Sequence, residues 1–62
     1  MLKKTYYCEY ERTNGNKVLG KNFRVETIWF WECVLNMIEV QLAEIETKFN
    51  CNAYLSNIKR ID

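Results

Sequence analysis

Histidine and proline are both absent from this 62-residue chain, which also holds two glycines and a single serine. Without imidazole, the most frequent general base and the commonest metal ligand are gone. Ser56, the lone serine, has no evident base to activate it. A structural zinc site takes four thiolate or imidazole ligands. Cys8, Cys33 and Cys51 offer three, widely spaced and with no C-x-x-C pair. Gly15 and Gly20 belong to a hairpin, so there is no glycine-rich phosphate loop. The carboxylate pairs Glu9/Glu11 and Glu44/Glu46 have the spacing of solvated surface charges. A core this small leaves little room for a ligand pocket of roughly 300 Å³ or more. No enzyme activity, cofactor or metal is expected.

Long apolar runs are missing too. The stretch from Ile28 to Ile45 is broken by Glu32, Asn36, Glu39 and Glu44, so no membrane span is expected. Met1-Leu2-Lys3-Lys4 leads into a polar strand and not into the apolar run of a signal peptide. The expected location is therefore cytoplasmic, with three reduced thiols. A Cys51 disulfide between chains is the alternative. Net charge is +1, which gives no global pull toward nucleic acid or membrane. The segment Thr27–Asn50 carries −3, leaving +4 for the rest.

What is present reads as one domain over residues 1–62. Residues 3–13 alternate, with Tyr6, Cys8 and Tyr10 pointing one way and Thr5, Tyr7, Glu9 and Glu11 the other. Asn14-Gly15-Asn16 signals a tight hairpin. Residues 18–26 alternate again, placing Leu19, Phe23 and Val25 against Asn22, Arg24 and Glu26. Gly20 marks a bulge or a close approach. A helix is expected from Thr27, its candidate cap, to Phe49, although Ile28–Trp31 can instead extend the strand or form a loop. Glu44 and Lys48 are an i,i+4 pair, and Asn50 or Asn52 can supply the left-handed residue that ends the helix. Ala53–Ile61 reads as a strand whose phase requires a bulge around Ser56-Asn57. The expected fold class is α+β. Its order is ββαβ, a three-stranded antiparallel sheet (order 2-1-3) packed on one long amphipathic helix.

That helix has apolar residues on two opposite sides. At about 100° per residue, Trp31, Val34, Leu35, Ile38, Leu42, Ile45 and Phe49 form one stripe. From Val34 on, it is expected to bury against Tyr6, Cys8, Tyr10, Leu19, Phe23, Val25 and Leu55. Trp29, Phe30, Cys33, Met37 and Val40 gather on nearly the opposite side. A chain of this length buries only about 60% of its unfolded surface, so it gains from a partner. The second stripe is the expected partner or dimer interface, since Trp, Phe and Met are enriched at interface cores and a two-fold dimer hides one patch twice. Alternatives are a foreign protein on the same patch, or Trp29 and Phe30 tucking over the edge of the core.

The outer sheet face gives a further alternative. Lys3, Tyr7, Arg24, Tyr54 and Lys59 resemble the stacking and phosphate contacts of single-stranded nucleic-acid binders. Glu9, Glu11 and Glu26 are expected on that face too, and no RNP-like motif is present.

The runs KKTYYCEYERTNGNKVLGKNFRV, LNMIEVQLAEIE and NAYLSNIKRI resemble small accessory proteins of bacteriophages and prophages. Those begin with a tyrosine-rich strand, turn through glycine, carry one acidic amphipathic helix and finish with a short strand. Some small ββαβ phage proteins inhibit host defence systems by binding an effector. The resemblance implies an anti-defence factor acting on a host protein, and it assigns no residue a role.

Overall fold

The hairpin turn sets the first register. A computed structural model describes residues 2–62, with β1 at Lys3–Asn14, β2 at Lys17–Trp29, α1 at Val34–Phe49 and β3 at Asn52–Arg60. Gly15 takes φ 63° while Asn16 does not take a positive φ, which is the II′ pattern of a two-residue hairpin. The sheet is antiparallel in order β2-β1-β3, as the sequence suggests. The order ββαβ holds as well.

Near the turn Asn14 faces Lys17 and Thr13 faces Val18, but Arg12 faces Gly20. Leu19 is therefore an extra residue, a β-bulge. Its consequence is large, because side chains alternate with period two and a one-residue shift exchanges the faces. Beyond the bulge Tyr10 pairs with Asn22, Cys8 with Arg24, Tyr6 with Glu26 and Lys4 with Ile28. The helix-facing side of β2 thus carries Asn22, Arg24, Glu26 and Ile28. Phe23 and Val25, expected in the core, lie on the outer face and are 56% and 63% exposed. Leu19, also expected inside, is 44% exposed. Gly20 is a close approach too, since a Cβ there would collide with the Arg12 guanidinium.

The second expected bulge is present. Glu9 faces Asn57 and Tyr10 faces Leu55, so Ser56 is the extra residue, and its hydroxyl donates to the Glu9 carbonyl at 3.0 Å. This brings Leu55 and Ile58 to the same face as Tyr10 and Cys8.

The helix begins later than Thr27. Thr27–Trp29 complete β2, and Cys33 precedes the first helical turn without a side-chain cap. Asn50, at φ 50° and ψ 54°, is the left-handed residue that ends the helix, and its N–H donates to the Glu46 carbonyl. Glu46 also accepts from the Ala53 N–H at 3.2 Å, tying the helix end to the start of β3.

The core joins Cys8, Tyr10, Ile28, Met37, Ile38 and Ile45, with Val34, Leu42, Leu55 and Ile58 packed around it. Met37, expected on the exposed back, is 7% exposed, whereas Leu35 and Phe49, expected inside, are exposed. Relative to the apolar stripe, the helix is rolled by about 40° at 100° per residue. The cause is Gln41. Fully buried, it accepts a hydrogen bond from the Tyr10 hydroxyl and donates to Glu26 Oε1 at 2.9 Å. The bulge turned Glu26 toward the helix, where its carboxylate supplies the partner that the buried Gln41 amide requires.

The helix rests over β1 and β3 and leaves the inner side of β2 largely open. Length matters as well. A 16-residue helix spans about 24 Å, against the molecule's 40 Å long axis. The radius of gyration, 12.4 Å, exceeds the roughly 10.6 Å of a compact domain of this length.

Candidate interaction surface

Between α1 and the uncovered side of β2 lies an open cleft of about 630 Å³. It sits beside the core and not within it, which is how so small a protein has one. Arg24 and Glu26 form its β2 wall; Met37, Val40 and Gln41 form part of its helix wall. Arg24 reaches Glu44 at 3.8 Å, so Glu44 engages Arg24 and not the Lys48 suggested by helical spacing. That pair is largely solvated and adds little stability.

At one end of the cleft the chain turns sharply from β2 into α1. The turn is pinned from three directions. The Phe30 N–H donates to the Leu2 carbonyl at 2.8 Å, the Glu32 N–H to the Trp29 carbonyl at 3.0 Å, and the Trp29 N–H to Glu32 Oε1 at 2.9 Å. Held this way, Trp29 and Trp31 stack at 5.0 Å and Phe30 meets Trp31 edge-on at 5.2 Å. Lys3 lies over Trp29, 4.6 Å from the ring centre. Trp31, the outermost of the three, is 64% exposed. Three large rings in mutual contact at a fixed turn, each exposed to water, form an apolar patch of the kind that marks an interface.

Four of the five residues expected to form the interface, Trp29, Phe30, Cys33 and Val40, are exposed. Met37 is the exception and belongs to the core. Trp31, assigned to the inner stripe from its helical phase, is outside because residues 29–32 are not helical.

The outer sheet face differs from expectation by one basic residue. Lys3, Tyr7, Tyr54 and Lys59 share it, with Lys59 directly opposite Tyr7. Arg24 does not: its position opposite Cys8 turns it toward the helix, and Glu26 goes with it for the same reason. Phe23 and Val25 take their place, and Phe23 stacks on Tyr7 at 6.2 Å. These two apolar residues were missed on this face. Gly20 inside an otherwise regular strand was the signal for the bulge that put them there.

Cys8, Cys33 and Cys51 are all free thiols, with Cys8 buried and Cys33 exposed. Burial raises the Cys8 thiol above its ordinary range and raises the Tyr10 hydroxyl strongly. Among the described residues no group of three or more potential ligands is placed to hold a metal ion, and no helix is long and apolar enough to cross a membrane. No protein-family model, curated protein or solved structure matches the chain.

Proposed function

We propose that this chain is a non-enzymatic protein-binding protein that works as a homodimer and presents the Trp29–Phe30–Trp31 cluster to a second, foreign protein. The observation that carries this reading is the exposure of those mutually packed rings on a turn fixed by hydrogen bonds. Rigid aromatic anchors supply contact area at low entropic cost, and they dominate binding energy where they occur. In line with the phage-protein resemblance of the sequence, the foreign partner is a host protein, such as a defence effector, whose surface this protein occupies.

Sedimentation tests the first half. A wild type that stays monomeric at about 100 µM, where a dimer of micromolar Kd is almost fully formed, removes the homodimer. Affinity capture from host lysate tests the second half. A host protein retained by wild type and lost by Trp31→Asp, at unchanged melting temperature, supports the aromatic contact. Equal retention by both proteins refutes it.

Nucleic-acid binding is the second reading, favoured by the placement of Tyr7 opposite Lys59 on the outer face. It now excludes Arg24. It requires salt-sensitive binding of a single strand that Tyr7→Ala weakens, and no binding at low salt removes it.

A further inference from the structure

The sheet has two free edges, and they are not alike. β3 is short, carries the Ser56 bulge and presents Asn, Ser, Lys and Arg. Bulges, brevity and charge are the usual means of keeping an edge from pairing. β2 has its bulge near the tip only, and from Gly20 to Trp29 it runs regularly for ten residues, with Lys21, Arg24 and Glu26 as its charges. It contains no proline. The helix does not overhang it, because the helix rests over β1 and β3. This edge is open to another strand up to Ile28, beyond which Glu32 takes up both the Trp29 N–H and the Trp29 carbonyl.

We infer that a second copy of this chain pairs with it, β2 against β2 and antiparallel, about a two-fold axis through Val25. The inference rests on the homodimer reading above and gives it a register. Two antiparallel edges related by a two-fold axis keep both helices on the same side of the joined sheet. Facing residues then belong to the same side, and the axis passes through a residue. The regular stretch Gly20–Trp29 has its midpoint between Arg24 and Val25. An axis through Arg24 sets two guanidiniums directly opposite one another. An axis through Val25 sets each Arg24 opposite Glu26 of the other copy, twice, on the helix side of the sheet. Opposite charges facing across a strand pair stabilise it, and like charges destabilise it. Arg24 is available, since its intrachain partner Glu44 stands at 3.8 Å.

The outer face agrees. There Val25 meets Val25 and Phe23 faces Thr27, an apolar strip at the centre of the joined edge. An axis two residues nearer the tip runs the partner strand into the Leu19 bulge. One two residues nearer the helix leaves only Glu26–Ile28 to pair.

Charge reversal tests the register by sedimentation equilibrium, with circular dichroism confirming each fold. Arg24→Glu should weaken the dimer by about tenfold or more, and Arg24→Gln, which removes the charge without reversing it, should weaken it less. A dimer indifferent to Arg24→Glu overturns the β2 register and leaves the homodimer standing, whereas a monomeric wild type overturns both. Should Arg24→Glu fail to fold, a cysteine on the axis decides. In a background with Cys33→Ser and Cys51→Ser, Val25→Cys should form a disulfide between copies on mild oxidation, while Tyr54→Cys should not. Crosslinking of Tyr54→Cys alone overturns the proposal.

Discussion

Deleting Leu19 is the sharpest test of the β2 register. Removing a residue from the middle of a strand ordinarily turns every later side chain to the wrong face. Here the deleted residue is the extra one, so Cys8 should keep Arg24 as its partner and Lys4 should keep Ile28. Leu19 is 44% exposed, and losing its buried remainder costs about 1–1.5 kcal/mol. One residue fewer to order returns about 1–2 kcal/mol of backbone entropy. The net change should lie within about 1 kcal/mol, a melting shift of no more than about 8 °C for a domain this small. If instead Phe23 and Val25 faced the helix, the deletion would expel both, at about 1.5–3 kcal/mol each. That is comparable to the whole stability of 62 residues, about 3–9 kcal/mol. Urea unfolding followed by circular dichroism measures the difference. A loss above about 3 kcal/mol, or a changed pattern of cross-strand NOEs at Cys8, refutes the bulged register.

Gln41→Met should cost about 1–3 kcal/mol by stranding the Tyr10 hydroxyl, and Tyr10→Phe added to it should recover part of that loss. A double-mutant cycle with no coupling contradicts the buried pair. Burial raises Cys8 and Tyr10 above their ordinary values near 9 and 10, so the folded state holds their protons more tightly than the unfolded one. The associated stability is complete below pH 9 and declines as pH rises past 9 and 10; Cys8→Ala/Tyr10→Phe should flatten that alkaline decline in a chemical-denaturation pH series. Asn50→Ala should lower stability by about 1 kcal/mol and Asn50→Gly should not, since only the alanine resists a φ of 50°. Equal melting temperatures for the two would argue against the left-handed cap.

The sequence disclosed the architecture more readily than the faces. Alternation in β1, the Asn-Gly turn and the broken phase of β3 are local signals, and each led to the observed pairing, including the bulge at Ser56. The inner side of β2 was misread for a physical reason. Without the bulge, the turn places Phe23 opposite Cys8 and Val25 opposite Tyr6, an arrangement that satisfies the apolar pattern. One added residue reverses it, and Gly20 was the single hint. The helix roll followed from that reversal, because Gln41 looks like a surface residue until Glu26 is known to face it. Ile28 and Trp29 continue β2 because Lys4 and Lys3 of β1 extend far enough to pair with them. Among the candidate interface residues, Trp29, Phe30, Cys33 and Val40 are exposed. Met37 is not, because the roll of the helix carries it into the core.

Gln41 carries a consequence beyond the core. A helix held by apolar contact alone lies on its sheet like a cylinder on a cushion, and a few degrees of rotation cost little. A buried amide bonded to Tyr10 on one side and Glu26 on the other acts as a key in a slot. It fixes the angle at which Val40 and Leu35 emerge on the far side. One polar side chain that is almost wholly buried thereby decides which greasy groups the protein shows to its surroundings. Changing it should alter what the protein sticks to while leaving every exposed side chain chemically as it was.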